Sequence, residues 1–338
     1  MVKGNEVVAQ LDTEYLALRP TKVVSRLVSY ALFEGRPLTT KGRWINPFIF
    51  FHFALERRFP QVREVKKPLF IIGTGRSGTT ILGILMSMHK DVGFLNEPKA
   101  LWHAIFPHED VIGSYTRAQA KYRLDETDVS SAVTRNAHRL FGAYLWTVRS
   151  GRLVDKYPEL VFRVPFVKAI FPDAKFIFLV RNGWDTCSSI EKWSERLGVN
   201  KASETHDWWG ADNRKWILML DELVAPDPIF SGILDNVRAL SSHTDMAAVE
   251  WIVTMREGLR RKEQNPGCVH LIRYEDLVDK PRESLSAMLI FAELENDPPF
   301  FAYAENVLRP APIHAPFELD AAIRPLFDDT MKLLGYSA

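Results

Sequence analysis

Unbroken apolar runs alternate along this chain with stretches of helical periodicity. Residues 68–72, 175–180 and 268–272 are apolar without alternation, the pattern of strands covered on both faces. Shorter runs at 91–95 and 152–156 predict two more strands. Between them, Ile81 to Met86, residues 116–149 with Val133, Leu140, Phe141, Tyr144 and Leu145, residues 165–170, and residues 245–262 with Ala248, Trp251, Ile252, Met255 and Leu259 predict helices. A final helix is expected over 321–334, and an amphipathic one over 15–34, broken near Pro20. Strand and helix in alternation predict an α/β fold: a parallel sheet of about five strands with helices on both faces and helical insertions.

An N-terminal helical segment, residues 1–67, is expected to pack on an α/β domain over 68–338, with a cap insertion at about 100–150 and an acceptor loop at about 197–216. The aromatic stretch at 47–51, set among basic residues, leaves two readings open: contact with a membrane surface or acceptor lipid, or a layer packed on the core. Trp208, Trp209 and Trp216 likewise either close over an acceptor or fill a core.

Composition narrows the function classes. The 338 residues are 46% hydrophobic and 25% charged, an ordinary globular balance. A formal net charge of +1 gives no general attraction to nucleic acid, so any anion must be caught by locally placed cations. Only Cys187 and Cys268 occur, far apart, which argues against a disulfide framework or thiolate metal site and for a reducing, cytoplasmic setting. No run approaches the roughly 18 apolar residues of a membrane span, and the first residues lack the apolar core of a signal peptide.

Candidate chemistry begins at Gly73-Thr74-Gly75-Arg76-Ser77-Gly78-Thr79-Thr80, placed between an apolar strand and a helix. Glycines let the backbone turn and bring its amides to a ligand, and the helix dipole adds positive potential, so the loop should hold a phosphate. It nearly fits the Walker pattern, but Thr79 stands where the phosphate-reaching lysine belongs, which argues against ATP. The cation is instead Arg76, suited to a nucleotide monophosphate that carries a transferable group.

Four motifs then stand in order: the loop at 73, Asn96-Glu97-Pro98, Val180-Arg181-Asn182-Gly183-Trp184-Asp185-Thr186-Cys187-Ser188-Ser189, and Arg273-Tyr274-Glu275-Asp276-Leu277. Over roughly 68–294 the chain resembles sulfotransferases that use 3′-phosphoadenosine 5′-phosphosulfate, closest to bacterial, Golgi carbohydrate and tyrosylprotein members. The resemblance implies a P-loop-like fold, and a 5′-phosphosulfate held by Gly75, Arg76, Ser77, Gly78, Thr79 and Thr80. It implies that Arg181 and Ser189, eight positions on, hold the 3′-phosphate, and that Tyr274 contacts the adenine. The two anionic ends would then be gripped at opposite corners of the cleft.

It further implies that Glu97 is the base and that Lys156, with Arg76, places charge near the leaving phosphate. A carboxylate of pKa about 4.3 is a weak base for an alcohol, so burial raising the proton affinity of Glu97 is expected. The implied donor is 3′-phosphoadenosine 5′-phosphosulfate and the implied product adenosine 3′,5′-bisphosphate, with no metal required. The partner is a hydroxyl-bearing carbohydrate, lipid or small molecule. Another P-loop transferase such as a small-molecule kinase, or a noncatalytic nucleotide-binding relative, is the alternative.

Departures from the family pattern are local. The C-terminal Arg-Lys-Gly of cytosolic sulfotransferases is missing, and Arg309 or Arg324 could take its place. His89, His103 and His108 lie near the motifs but lack metal-ligand spacing and read as surface or packing residues.

Overall fold

In the computed structural model, which describes residues 10–201, 204–310 and 314–337, five apolar runs meet in one sheet. Helices α1 (Thr13–Leu18), α2 (Pro20–Val28) and α3 (Asn46–Glu56) precede it, with the break falling just before Pro20. Strand β1 (Leu69–Gly73) runs through the glycine loop into α4 (Thr79–Met88), and β2 (Val92–Asn96) leads to α5 (Lys99–Ile105). Helix α6 (Ser131–Thr147) returns the chain to β3 (Arg152–Lys156), and α7 (Val164–Ile170) to β4 (Lys175–Val180) and α8 (Gly183–Leu197).

A small antiparallel sheet follows, made of β5 (Val199–Lys201), β6 (Glu204–Asp207) and β7 (Gly210–Ala211). Then come α9 (Arg214–Met219), α10 (Leu234–Ala239), the long α11 (His243–Gln264), β8 (Val269–Arg273) and α12 (Tyr274–Asp279). Helices α13 (Pro281–Ala292), α14 (Pro298–Val307) and α15 (Arg324–Leu333) complete the described chain.

The main sheet has the order β2-β3-β1-β4-β8 and every pairing is parallel. Leu69, Ile71, Ile177 and Leu179 point into one buried cluster and Phe70, Ile72, Phe176, Phe178 and Val180 into another, so each strand is covered on both faces. On the second face α11 comes so close to β4 that a Cβ on Gly258 would lie 2.1 Å from the Phe178 ring. Gly258→Ala should therefore destabilise the fold by about 1–3 kcal/mol through overpacking, more than the ~1 kcal/mol that alanine returns in helix propensity. Urea denaturation measures the difference, and a more stable variant would show that helix and sheet can move apart.

Two expected elements differ. Residues 116–130 are not helical apart from one short turn at Glu126–Asp128, and α6 starts only at Ser131. The Asp110 carboxylate accepts from the amides of Ser114, Tyr115 and Thr116, and Ser130 Oγ caps α6 by accepting from Val133 N, which fixes the start of the helix. The stretch 197–216, expected as a loop, contains the antiparallel excursion β5–β7; its polar sequence has no apolar run to announce strands. The segment 100–150 supplies α5 and α6, whose Trp102 and Phe141 rings lie 5.2 Å apart beside Phe70 of β1.

Candidate active site

Parallel register decides which distant residues become neighbours. Asn96 of β2 pairs with Lys156 of β3, Ile71 of β1 also pairs with Lys156, and Gly73 pairs with Leu179 of β4. Glu97, Lys156, the glycine loop, Arg181 and Tyr274 therefore emerge side by side from the C-terminal ends of β2, β3, β1, β4 and β8, where ligands of open α/β sheets collect. A cleft of about 1290 Å³ runs along this edge. Gly75, Arg76, Gly78, Thr79, Thr80, Glu97, Lys156, Arg181 and Ser189 all line it.

The loop is shaped by close approach. Gly73 has φ 145° and a Cβ there would sit 2.5 Å from the Leu179 carbonyl oxygen, so only glycine lets β1 leave the sheet at this angle. Gly78 has φ 102° and lies flat under the Tyr274 ring. Arg76, at φ 70°, holds a left-handed backbone that costs about 1 kcal/mol or more. Ser77 differs from its neighbours: it is fully buried and its Oγ donates to Thr74 O at 2.7 Å, closing the loop on itself and keeping the side chain out of the cleft. The first amides of α4 lack intrahelical acceptors, as at any helix N-terminus, and open toward the loop's concave side.

The two expected phosphate grips form one cluster and not two opposite corners. Arg76 Nε donates to Ser189 Oγ at 3.1 Å, and Arg181 Nη1 donates to the Arg76 carbonyl at 3.3 Å. This follows from β1 and β4 being adjacent strands, with Ser189 carried back over the loop by α8. Arg181 also lies 4.7 Å above the Tyr274 ring. Arg196, further along α8, lines the same cleft, and its charge together with that of Arg181 adds to burial in lowering the proton affinity of Arg76. Among the described residues only Asp185, 4.0 Å from Arg181, comes within ion-pair distance of any of these three guanidinium groups, and it already accepts from the His314 amide at 2.7 Å. Thr74 Oγ1 is buried in the loop without a hydrogen-bond partner. Three gathered guanidinium groups with a single carboxylate in ion-pair reach, and a glycine cradle with an orphaned hydroxyl, suit a phosphate-bearing nucleotide.

Glu97 sits in a second charge cluster. Its backbone, at φ 49°, is fixed by donation from Glu97 N to Lys156 O at 2.7 Å and from Lys99 N to Glu97 O at 2.6 Å. Its side chain is 37% exposed to the cleft, and Oε1 accepts from Lys156 Nζ, itself only 1% exposed. Lys99 Nζ stands 3.7 Å from Glu97 Oε2 and 3.2 Å from Glu159 Oε1. Burial pushes the Glu97 carboxyl up, but Lys156 and then Lys99 outweigh it and hold the group at about 2. The expected rise in its proton affinity is thus corrected: burial is present, but the two ammonium groups that face the carboxylate outweigh it.

Trp208 divides the two readings of the tryptophans. Trp209 and Trp216 are core, with centroids 5.5 Å apart, whereas Trp208 lies over the loop so closely that a Cβ on Gly75 would be 2.5 Å from its ring. Its Nε1 donates to Glu250 Oε2 at 2.6 Å, and Lys215 Nζ donates to Glu250 Oε1 at 2.6 Å while standing 4.6 Å from the ring. Lys99, Glu159, Arg196, Lys215 and Glu250 went unmarked in the sequence. Lys99 and Glu159 follow Glu97 and Lys156 by two and three positions and were open to inspection; Lys215 and Glu250 come from separate elements and gave no local signal.

Other candidates are engaged elsewhere. Arg309 donates to the carbonyls of Glu305 and Leu308, and Arg324 pairs with Asp328 and covers Trp184. His89 bonds Glu295 O, His108 bonds Gln119 O, and His103 packs against Phe50 and Tyr115. Among the described residues no group of three or more His, Cys, Asp or Glu side chains could hold a metal ion.

Residues 68–230 match the model of the Sulfotransferase family. Nodulation protein NoeE of Sinorhizobium fredii is 24% identical over 247 residues, covering 70% of this chain and 51% of that protein. Protein-tyrosine sulfotransferase 1 of Danio rerio is 31% identical over 120 residues, covering 34% of this chain and 32% of the relative. The chain thus spans about half of the first relative's length and about a third of the second's. Among solved structures, sulfotransferase STF9 from Mycobacterium avium aligns over 99% of both chains at 14% identity with a TM-score of 0.48. Over residues 68–230, from β1 past α9, the chain with its motifs in order along one sheet edge is similar to the sulfotransferase family.

Proposed function

We propose that this protein transfers a sulfuryl group from 3′-phosphoadenosine 5′-phosphosulfate to a hydroxyl of a carbohydrate, lipid or small-molecule acceptor. The observation that carries the reading is the cluster of Arg76, Arg181, Ser189 and Arg196 at the glycine loop, one strand away from the Lys156–Glu97 pair. When bound, the donor supplies an activated sulfuryl group on its 5′-phosphate. The amides of the loop and of the start of α4, with Arg76, would hold that phosphate end. Arg181 and Ser189 would hold the 3′-phosphate, and Tyr274, fixed against Gly78, would border the adenine.

Glu97 would take the proton of the acceptor hydroxyl. While Lys156 and Lys99 hold its carboxylate the proton affinity is low, so the base gains strength only when an anion in the loop draws the charge of Lys156 away. Trp208, Glu250, Lys215 and Glu159 supply a polar, aromatic wall on the acceptor side, a composition that favours a hydroxyl-rich, sugar-like group. The free thiols, Cys187 buried and Cys268 half-buried, support the cytoplasmic setting inferred from the sequence.

Thermal denaturation tests the reading. Adenosine 3′,5′-bisphosphate at a hundred times its Kd should raise stability by about 2.7 kcal/mol, and ATP with magnesium should not. Protection by ATP with magnesium and none by the bisphosphate would favour the kinase alternative.

A further inference from the structure

Helix α3 is apolar on both sides. Ile49 and Phe53 are buried in the core, with Phe53 packed against Phe33 and Phe50. Facing outward, Phe48, Phe51 and Leu55 recur at three- and four-residue spacing on one face and are 67%, 65% and 38% exposed. Trp44, in the turn just before the helix, is 75% exposed, and Phe59, just after it, 56%. A helix with one apolar face in the core and a second in water implies a cover for the second, because contiguous aromatic surface is seldom left bare.

Charge indicates which cover. Between residues 41 and 58 stand four cations, Lys41, Arg43, Arg57 and Arg58, against the single carboxylate Glu56. Lys41, Arg43 and Arg58 are exposed, and among the described residues none of the three has an ion-pair partner. A two-fold contact with a second copy would set these cations against themselves. An anionic bilayer accepts both features at once, the rings between headgroups and the cations on lipid phosphates. No described helix is long and apolar enough to cross a membrane, so the contact would be peripheral.

We propose that the α3 face, Trp44, Phe48, Phe51 and Leu55 with its rim of Lys41, Arg43 and Arg58, docks this protein on an anionic lipid surface. Residues Pro37 to Lys41, immediately before that face, line the cleft that holds Glu97, so docking would bring one end of the cleft to the bilayer. The proposal stands on this surface and not on the reading of the site.

Co-sedimentation of the full chain with vesicles tests it, using phosphatidylcholine alone and phosphatidylcholine mixed with phosphatidylglycerol. The chain should sediment with the mixed vesicles at least about tenfold more strongly than with the neutral ones, and less as salt rises. The double variant F48S/F51S should lose this binding with its melting temperature and its affinity for adenosine 3′,5′-bisphosphate unchanged, since both positions are exposed. Quenching of tryptophan fluorescence by brominated lipid should fall in Trp44→Phe. Absence of binding to the anionic vesicles, or equal binding by F48S/F51S, would overturn the proposal. So would a dimer in sedimentation equilibrium that F48S/F51S converts to monomer, because the face would then be covered by a second copy.

Discussion

Arg181→Ala should weaken binding of adenosine 3′,5′-bisphosphate by about a hundredfold in isothermal titration calorimetry. A hydrogen bond to a charged group contributes about 1.5–3 kcal/mol, and a guanidinium makes two of them to one phosphate; about 2.8 kcal/mol is a factor of a hundred. Arg181 is well placed for this: it is almost buried, held over the Tyr274 ring at 4.7 Å, and anchored to the Arg76 carbonyl at 3.3 Å, so little freedom is lost when an anion arrives. Ser189→Ala, which removes one neutral donor, should cost only about fivefold. Lysine at 181 should not restore the affinity, because a point charge cannot make the paired bonds of the fork. The unliganded protein supplies a second readout of opposite sign. Arg76, Arg181 and Arg196 repel one another, so Arg181→Ala should leave the melting temperature unchanged or slightly higher without the nucleotide. Wild-type affinity in Arg181→Ala would mean that no anion is held at this strand end.

Much of the frame was legible because buried parallel strands announce themselves. Residues 175–180 could hardly be anything else, and β4 occupies those positions. The spacing of Arg181 and Ser189, and the glycines at 73, 75 and 78, are local properties that survive folding and needed no knowledge of the third dimension. What stayed hidden depends on strand order. Nothing in the sequence says that β1 lies beside β4 or that β3 lies beside β2; from the first it follows that Ser189 touches Arg76, and from the second that Lys156 meets Glu97. The polarity of Glu97's surroundings was misread for the same reason. Burial could be inferred from its place at a strand end, but the sign of its proton affinity depended on Lys156 from the neighbouring strand, 59 residues away, and on Lys99 two residues on. Segments whose form is set by side-chain hydrogen bonds to the backbone, such as Asp110 gathering the amides of 114–116, leave no periodic trace at all.

Glu97→Gln should lower turnover by about a hundredfold or more, the usual scale for losing a general base, with bisphosphate affinity retained. The readout is transfer of radioactive sulfate from the donor to an acceptor pool. Its pH dependence separates the base from a merely structural carboxylate. With the folded-state pKa lowered to about 2, the Glu97–Lys156 pair stabilises the fold fully above the ordinary carboxylate value of about 4.3, and that contribution fades as pH falls toward about 2. In the free enzyme Glu97 is therefore ionised across the neutral range, and kcat/KM should show no acid limb from this group above about pH 5. Lys156→Met removes the larger of the two cationic influences and keeps the burial, so the carboxyl must rise and an acid limb should enter the kcat/KM profile. Turnover in that variant should also drop by about a hundredfold, because the cation proposed to stand beside the leaving phosphate is gone. Since both residues act through one pair, E97Q/K156M should lose far less than the product of the single losses. If Lys156→Met slows turnover but leaves the pH profile unmoved, the lysine does not govern the base, and the charge exchange between Glu97 and a bound anion has no support.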